Sequence, residues 1–305
     1  MKTNKNSIII RLITVILLIG IALLVNRLSK QDDNVQSTAG EPVTDFIEVH
    51  FIDVGQGDAI LVEAGGASML IDAGENNMGM KVVDYLKSQE IDELDYVIAT
   101  HPHGDHIGGL DIVLDQIPTG KIIMPNVSHT TKTYEDVLDV IEGKNLTVTE
   151  PSVGDRFDLG AAAFTIVAPN SPEYDELNNY SIGIKLTYKN TSFLFLGDAE
   201  ELSEEEMLSA GPDLTADVLK LSHHGSRYSS TDAFLDAVNP SYAVISVGEG
   251  NDYGHPHAAT MQKIKDRKIA LYRTDKQKTV VLTSEGRTIS ANADPYEITE
   301  EDLEE

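Results

Sequence analysis

One short segment of the chain concentrates side chains that bind metal ions. His101-Pro-His103-Gly-Asp105-His106 holds three imidazoles and a carboxylate within six residues, directly after the apolar stretch 95–99. Neutral imidazole and carboxylate oxygen are ligands that zinc and related divalent ions prefer in proteins. Residues two apart on an extended segment point to the same side, so His101 and His103 can hold one ion together. Asp105 and His106 lie past the turn and can face a second ion.

The absence of cysteine limits the side chains that could bind a metal or act as a nucleophile. The sequence contains no cysteine, so disulfides, thiolate ligands and a cysteine nucleophile are excluded, and any metal must be held by His, Asp, Glu or Asn. A chance histidine cluster on a surface loop is the alternative interpretation. It is disfavoured because the cluster follows a buried strand, and four buried ligands without a metal would be costly unpaired polar groups.

The elements around this motif alternate between strands and helices. Alternating or apolar runs predict strands at 47–53, 59–62, 68–72, 95–99, 193–196, 216–221 and 242–247, and helical spacing predicts helices at 78–89, 133–142, 200–209, 231–238 and 258–267. Strands come first and helices then alternate with strands, and this order occurs twice along the chain. This order indicates an α/β fold in which helices cover sheets, rather than an all-α or all-β fold.

The N-terminal segment is apolar and preceded by basic residues. Residues 8–25 carry one charge, Arg11, and at about 1.5 Å per residue such a helix just spans a hydrocarbon core of about 30 Å. Lys2 and Lys5 precede it, so the positive-inside rule predicts a cytoplasmic N-terminus and an exported remainder. We therefore expect a single-pass membrane anchor at 1–30 with an extracellular catalytic domain. A cleaved signal peptide, which would release a secreted protein, is the alternative.

The remaining boundaries follow from composition. Residues 31–45 are polar and aperiodic and predict a flexible linker, 46–290 hold the alternating elements of the catalytic domain, and 291–305 are expected to form an acidic, disordered tail. The net charge is −27, and residues 1–30 hold five bases and no acids, so the remainder carries 18 bases against 50 acids. This balance disfavours non-specific DNA binding and favours a solvated acidic surface, although bound divalent cations would reverse the sign locally.

Several motifs together resemble one known family. His101 to His106 match the HxHxDH motif of the metallo-β-lactamase superfamily, and the context resembles the C-terminal hydrolase domain of ComEC-type competence proteins, in free-standing form. The other similar motifs are Phe51-Ile-Asp-Val-Gly-Gln-Gly-Asp58, Leu70-Ile-Asp-Ala-Gly74, Phe195-Leu-Gly-Asp198, Leu219-Lys-Leu-Ser-His-His-Gly-Ser226 and Tyr253-Gly-His-Pro256. The resemblance covers about residues 47–285. It implies a four-layer αββα sandwich, here preceded by one transmembrane helix, with two divalent metal ions at one edge between the sheets.

The resemblance also implies a role for each residue of the motif. His101 and His103 would hold the first ion, Asp105 and His106 would hold the second, and Asp198 would bridge both. Asp105 and Asp198 would therefore be catalytic as well as metal-binding. A cap of the following helix is the alternative role for Asp198, since Asp is also a preferred N-cap residue.

Later residues complete the expected site. One member of the pair His223-His224 would hold the second ion, and we favour His224; the other would orient substrate or pack. Asp72 would order the site through hydrogen bonds to the ligands. His255 lies in a Gly-His-Pro turn, where it would act as a general acid or phosphate contact, or would be merely structural.

One ligand departs from the pattern of the superfamily. Many members place a third histidine between the first motif and the bridging aspartate, and the sole histidine in that interval here is His129, in a polar loop. Asn178 and Asn179 occur where ComEC-type sequences have a similar Asn-rich motif. The third ligand of the first ion therefore stays open between His129, Asn178, Asn179 and water. Zinc is favoured overall. Manganese is the alternative, because amides are weak zinc ligands and an asparagine in the third position would hold zinc loosely. His50 and His257 are interpreted as structural.

The expected chemistry is hydrolysis. Two ions roughly 3.5–4 Å apart supply a hydroxide nucleophile at neutral pH and stabilise charge on substrate oxygens. Both phosphodiesters and acyl bonds can be cut in this way, and the resemblance favours a phosphodiesterase or nuclease related to competence and DNA uptake, with DNA as a candidate partner. The alternatives are hydrolysis of another small exported ester, lactone or β-lactam, and a non-catalytic surface binding subunit. The intact ligand set argues against the last of these.

Overall fold

Two β-sheets carry the fold of residues 45–304, the part of the chain that this computed structural model describes. The anchor expected at 1–30 and nearly all of the linker expected at 31–45 lie outside the described residues. The strands are β1 (Ile47–Phe51), β2 (Ile60–Ala64), β3 (Ala67–Ile71), β4 (Leu94–Ile98), β5 (Thr119–Ile123), β6 (Val148–Thr149), β7 (Arg156–Leu159), β8 (Ala162–Ala168), β9 (Gly183–Tyr188), β10 (Thr191–Phe195), β11 (Val218–Lys220), β12 (Tyr242–Ile245), β13 (Ala270–Arg273), β14 (Val280–Ser284) and β15 (Ile289–Ala291).

Helices connect these strands close to the expected positions. The α-helices are α1 (Gly79–Ser88), α2 (Gly104–Ile107), α3 (Leu110–Gln116), α4 (Lys132–Gly143), α5 (Glu201–Ala210), α6 (Asp232–Val238), α7 (Ala258–Arg267) and α8 (Thr274–Gln277). Short 3-10 turns occur at Leu177–Tyr180, Ser222–Gly225 and Glu301–Leu303. Within residues 45–304, no helix has the length and apolar character needed to cross a membrane.

The order of strands brings several loops to one side of the molecule. The first sheet has the order β15-β14-β1-β2-β3-β4-β5-β6 and the second has the order β13-β12-β11-β10-β9-β8-β7. Strands β3 to β6 run parallel, as do β10 to β13. The carboxyl ends of neighbouring parallel strands meet at the same sheet edge, where ligands of open α/β sheets bind. The loops that follow β3, β4, β10, β11 and β12 all begin at such ends.

Three apolar cores set the order of the layers. One core lies between the sheets and includes Val49 of β1 and Phe164 of β8. A second lies between the first sheet and helices α1, α3 and α4, as at Leu86. A third lies between the second sheet and helices α5 to α7, as at Phe234. The expected α/β sandwich of two sheets covered by helices is therefore observed in the described residues.

The acidic end of the chain differs from the expectation of a disordered tail at 291–305. The Tyr296 backbone N–H donates to the Leu271 carbonyl at 2.6 Å, and the Arg273 guanidinium lies over the Tyr296 ring at 4.9 Å. Arg273 Nη1 also donates to Asp302 Oδ1 at 2.6 Å. Acid-rich composition favours disorder because like charges repel, but here one carboxylate is neutralised by Arg273 and an aromatic ring packs beside β13.

Candidate metal centre

The loops at the carboxyl ends of the strands bring the expected ligands together. His101 follows β4, His103 is the extended residue before α2, and Asp105 and His106 lie within α2. Asp198 follows β10 and the histidine pair follows β11. The ligand atoms of one group lie within 4.8 Å of one another, and this group consists of Asp105, His106, Asp198 and His224.

Asp198 lies at the centre of the arrangement. Its Oδ2 atom is 3.2 Å from His106 Nε2, 3.5 Å from His224 Nε2 and 3.9 Å from His101 Nε2. The carboxylate therefore faces imidazoles expected to hold different ions, as a bridging ligand would. The N-cap of α5 is Glu200 rather than Asp198, so the alternative capping role does not describe this residue.

The two histidines expected at the first ion face each other. His101 Nε2 lies 3.0 Å from His103 Nδ1. His101 Nδ1 lies 3.1 Å from the Thr100 hydroxyl and 3.3 Å from the Ser181 hydroxyl. These hydroxyls contact Nδ1, so Nε2, which lies beside His103 Nδ1, is the nitrogen that can act as the ligand atom toward the centre. Spacing by two residues on an extended segment has thus placed both rings on one side.

Hydrogen bonds fix two other histidines with one nitrogen toward the centre. His106 Nδ1 donates to Asp72 Oδ2 at 2.8 Å, and His224 Nδ1 donates to the Ser246 carbonyl at 2.8 Å. A metal-binding histidine usually donates its second ring N–H to a carboxylate or carbonyl in this way, which turns its lone pair toward the metal. Asp72 is itself held, because it accepts the backbone N–H of Thr100 at 2.8 Å and its hydroxyl at 2.6 Å.

The unpaired atoms at the centre test whether a metal fits these residues. Among residues 45–304, the buried atoms without a hydrogen bond include His106 Nε2, His224 Nε2 and Asp198 Oδ1. Buried polar atoms are rarely left unpaired, because the loss of their hydration is costly. Imidazole nitrogen and carboxylate oxygen are donors for zinc and similar ions. The residues present therefore fit a divalent metal centre.

The charges of the centre favour a cation. Burial opposes a positive charge on His106, but the carboxylates of Asp198 and Asp105 outweigh it and raise the pKa of His106 well above 6.5. Burial likewise opposes charge on Asp198, but His106 and His224 hold its pKa well below 3.8. The pKa of His101 is lowered by burial and by His106, so this ring is neutral and available as a ligand.

The two adjacent histidines play different parts in the geometry. Both have left-handed backbones, with φ of +50° at His223 and +53° at His224. Such conformations cost about 1–3 kcal/mol each and cluster at functional sites. The His224 ring enters the buried cluster, with Nε2 3.3 Å from Asp105 Oδ2. His223 is more exposed, and its Nδ1 lies 3.2 Å from Glu200 Oε1.

The three candidates for the missing ligand are placed differently. His129 Nδ1 lies 3.0 Å from the Thr131 hydroxyl, in the loop before α4. Asn179 Oδ1 accepts the Glu200 backbone N–H at 3.1 Å, next to the start of α5. Asn178 lines the pocket over the centre, and its buried Oδ1 makes no hydrogen bond within the described residues. Asn178 is therefore the one of the three that lines the pocket, whereas the His129 ring lies outside it with its centroid 6.5 Å from that of His103.

An open pocket of about 310 Å³ leads to the centre, and it is lined by Gln56, Glu75, His103, Gly104, Asp105, Asn178, Asp198, His223, His224, Tyr253 and His255. His255 belongs to this wall rather than to the ligand cluster. Burial, His223 and His224 lower its pKa to about 3, so the ring is neutral near pH 7. The exposed ring of Tyr253 stacks on it, with centroids 5.7 Å apart. His255 is thus positioned to contact a bound substrate.

Two further features lie outside the pocket: His257, and a buried ion pair that was not predicted from the sequence. His257 Nδ1 accepts the Arg227 backbone N–H at 3.1 Å, which agrees with a structural role. Behind the centre, Lys220 Nζ lies 2.5 Å from Asp58 Oδ2, and both side chains are buried. Asp58 Oδ1 lies 3.7 Å from His224 Nδ1. No role was assigned to this ion pair, although a lysine inside an apolar strand was a signal for it.

Fold and site together define a known class of protein. A family model described as the metallo-beta-lactamase superfamily matches residues 52–249. The chain therefore belongs to the metallo-β-lactamase superfamily. The resemblance inferred from the histidine motif is confirmed by this match.

The relatives agree with the resemblance to competence proteins. "ComE operon protein 3" of Bacillus subtilis (strain 168) is 31% identical over 251 residues, which cover 76% of this chain and 32% of that protein. "Competence protein ComA" of Neisseria gonorrhoeae is 30% identical over 225 residues, which cover 73% of this chain and 30% of that protein. The chain thus spans about a third of the length of these relatives.

A solved structure shares the fold. Igni18, a metallo hydrolase from the hyperthermophilic archaeon Ignicoccus hospitalis KIN4/I, is similar with a TM-score of 0.52. The similarity covers 77% of this chain and 98% of that one, at 17% sequence identity. At this identity the similarity supports the fold alone.

Proposed function

We propose that the chain is a phosphodiesterase or nuclease-type hydrolase that uses two divalent metal ions. The observation that carries the proposal is the position of the Asp198 carboxylate, whose Oδ2 has Nε2 of four histidines within 3.9 Å: His101, His106, His223 and His224. When bound, two such ions activate water and stabilise the charge that develops on substrate oxygens. Zinc is the favoured ion and manganese is the alternative.

The proposed division of ligands follows the contacts of the centre. His101 and His103 hold the first ion, with Asn178 or water beside them, and Asp198 is shared by both ions. The remaining ligands of the second ion are Asp105, His106 and His224. Asp72 and the Ser246 carbonyl orient two of these imidazoles.

The pocket walls supply the contacts to substrate. His255 Nδ1 is buried and makes no hydrogen bond within the described part of the chain, so it can bind a phosphate oxygen or the leaving group. His223 lines the same wall, with its ring centroid 5.2 Å from that of His255. His223 Nε2 lies 3.9 Å from Asp198 Oδ2, so this wall borders the position where the reacting bond would have to be held.

The substrate class is inferred from the relatives, although the negative net charge of the chain disfavours DNA binding. The relative from Neisseria gonorrhoeae is named a competence protein, and with the resemblance to ComEC-type proteins this supports DNA taken up by the cell as the proposed substrate. The net charge of −27 disfavours non-specific DNA binding, but two dications would offset the acids of the pocket, Glu75, Asp105 and Asp198. The negative net charge favours the alternative substrate, which is a small exported ester, lactone or β-lactam.

A screen of three substrates distinguishes these possibilities. The full chain, loaded with zinc or manganese, is tested on bis-(p-nitrophenyl) phosphate, single-stranded DNA and nitrocefin. We expect hydrolysis of the two phosphodiesters, at a rate at least about a hundredfold lower in Asp198→Asn. Asp213→Asn is the matched control, because it removes the same charge from an exposed site. Cleavage of nitrocefin alone would favour the acyl alternative, and no hydrolysis of any substrate would favour a binding subunit.

The location is a separate part of the proposal. The apolar residues 8–25 behind Lys2 and Lys5 support an exported domain held by one membrane-spanning segment. Protease added to intact protoplasts should then digest the domain. Digestion only after lysis would show that the orientation is wrong.

A further inference from the structure

A second group of potential metal ligands lies on the first sheet, away from the centre around Asp198. Glu48 and Glu63 are direct partners in the antiparallel ladder of β1 and β2. His50 is two residues beyond Glu48 on β1 and therefore points to the same face. One ligand atom from each of the three side chains lies within 4.8 Å of the others. None of the three was given a functional role from the sequence.

The pairing of the two carboxylates needs an explanation. Like charges directly opposite one another across an antiparallel ladder are destabilising. Glu48 Oε1 accepts a hydrogen bond from the Thr283 hydroxyl at 3.1 Å, which satisfies an oxygen but does not remove a charge. Only 29% of the Glu63 side chain is exposed, so solvent screens the repulsion only in part. A cation between the carboxylates would remove it.

The buried imidazole of His50 is aimed into this group. Its side chain is 3% exposed, and its Nε2 lies 3.2 Å from Glu63 Oε1 without hydrogen-bond geometry, so the nitrogen has no hydrogen-bond partner among the described residues. His50 Nδ1 lies 2.9 Å from the Tyr85 hydroxyl of α1. If Nδ1–H donates to that oxygen, the lone pair of Nε2 faces both carboxylates, as in a metal-binding histidine.

We propose that Glu48, His50 and Glu63 bind a divalent cation of the zinc type that joins β1 to β2. One imidazole and two carboxylates, with water in the remaining position, are a donor set suited to zinc. The half-buried carboxylates leave a path for the ion from solvent. Strands β1 and β2 flank the loop 52–59, which contains Asp58 behind the centre, so the ion would hold the two strands that position this loop.

The test is a count of bound zinc. The metal-free full chain is dialysed to equilibrium against buffered free zinc, and bound zinc is measured by elemental analysis. We expect Glu63→Gln and His50→Gln each to bind one zinc ion fewer per chain than the unmodified chain. Glu285→Gln, which removes the same charge from an exposed position outside the group, should bind the same number as the unmodified chain.

The comparison between variants separates this proposal from the proposed function. The difference of one ion does not depend on how many ions the centre around Asp198 holds, or on whether the enzyme is active. If His50→Gln fails to fold, the half-exposed Glu48→Gln replaces it. Equal zinc counts in the unmodified chain and in folded Glu63→Gln and Glu48→Gln would overturn the proposal, and would leave His50 and Glu63 as an ordinary polar pair.

Discussion

Asp72 and Asp198 approach opposite nitrogens of the same buried imidazole, that of His106. Asp72 Oδ2 lies 2.8 Å from Nδ1, and Asp198 Oδ2 lies 3.2 Å from Nε2. Because Nδ1 donates to Asp72, Nε2 is the nitrogen that faces the centre, where a bound metal would take the place of its proton. The two carboxylates therefore have different roles: Asp72 orients the ligand His106, and Asp198 is positioned to be a metal ligand itself.

Removing the charge of Asp72 should weaken metal binding without unfolding the chain. Asn tolerates the left-handed backbone of this position, φ +57°, but it is a poorer acceptor for His106. Loss of such an orienting partner typically weakens metal affinity about 10–100-fold. Competition with a chromophoric chelator measures the effect in Asp72→Asn. Asp95→Asn is the control, since Asp95 also accepts a backbone N–H at 2.8 Å but lies outside the centre. Equal affinities in both variants would argue against the orienting role.

The adjacent histidines should differ in their effect on metal affinity. His224→Asn removes a proposed ligand. The metal affinity of this variant should therefore fall by more than the roughly 100-fold expected for an orienting residue. His223→Asn should leave the affinity close to that of the unmodified chain, because His223 lies against Glu200 at 3.2 Å. The same chelator competition compares the two variants. A larger loss of metal affinity in His223→Asn than in His224→Asn would show that His223, and not His224, is the ligand.

The buried ion pair behind the centre should matter for stability. Lys220→Met leaves Asp58 as an unpaired buried charge, and breaking such a pair typically costs about 3–5 kcal/mol. The double variant Lys220→Met with Asp58→Leu should recover most of that loss, because neither charge is then left unpaired. Urea unfolding of the metal-free protein measures the free energies without a contribution from metal binding. Equal destabilisation by the single and double variants would contradict this account.

The docking of the chain end should depend on pH. Burial raises the pKa of Asp302, but hydrogen bonds from Thr299 and the charge of Arg273 outweigh it, so the pKa lies below 3.8. A carboxyl with a depressed folded-state pKa contributes stability above its unfolded pKa and loses it as the pH falls through the folded value. The protection factors of the amides of residues 292–304, which are exchange rates corrected for the intrinsic rate at each pH, should therefore fall below about pH 4. Asp302→Asn should show low protection factors already at pH 7, whereas the exposed Glu300→Gln should not. Protection factors that do not change between pH 7 and pH 3 would refute the role of Asp302.

Local patterns in the sequence were enough to find most of the centre. The His101 motif and Asp198 each follow an apolar run that forms a strand, and both strands end at the same side of the sandwich. Spacing by two residues also placed the rings of His101 and His103 together. Ligand type and strand periodicity are properties of neighbouring residues, so they can be read without the fold.

Properties that depend on distant contacts were not visible in the sequence. The choice between His223 and His224 depends on two consecutive left-handed backbones, which no residue type required. The partner of Lys220, Asp58, lies in the loop between β1 and β2, which belong to the other sheet. The tail was judged by its charge, whereas its docking depends on Arg273 of β13. In each case a tertiary contact outweighed local composition.

The most direct test of the central claim is the turnover of Asp198→Asn on a phosphodiester at saturating metal. If this carboxylate is shared by two ions, its loss removes negative charge where the dications repel each other most. A change of 1.36 kcal/mol in the barrier is about tenfold in rate, so we expect a fall of at least about a hundredfold. The fold should persist, because the substitution is nearly isosteric and Glu200, not Asp198, is the N-cap of α5. Retention of more than about a third of the turnover of the unmodified chain would contradict the shared role of Asp198.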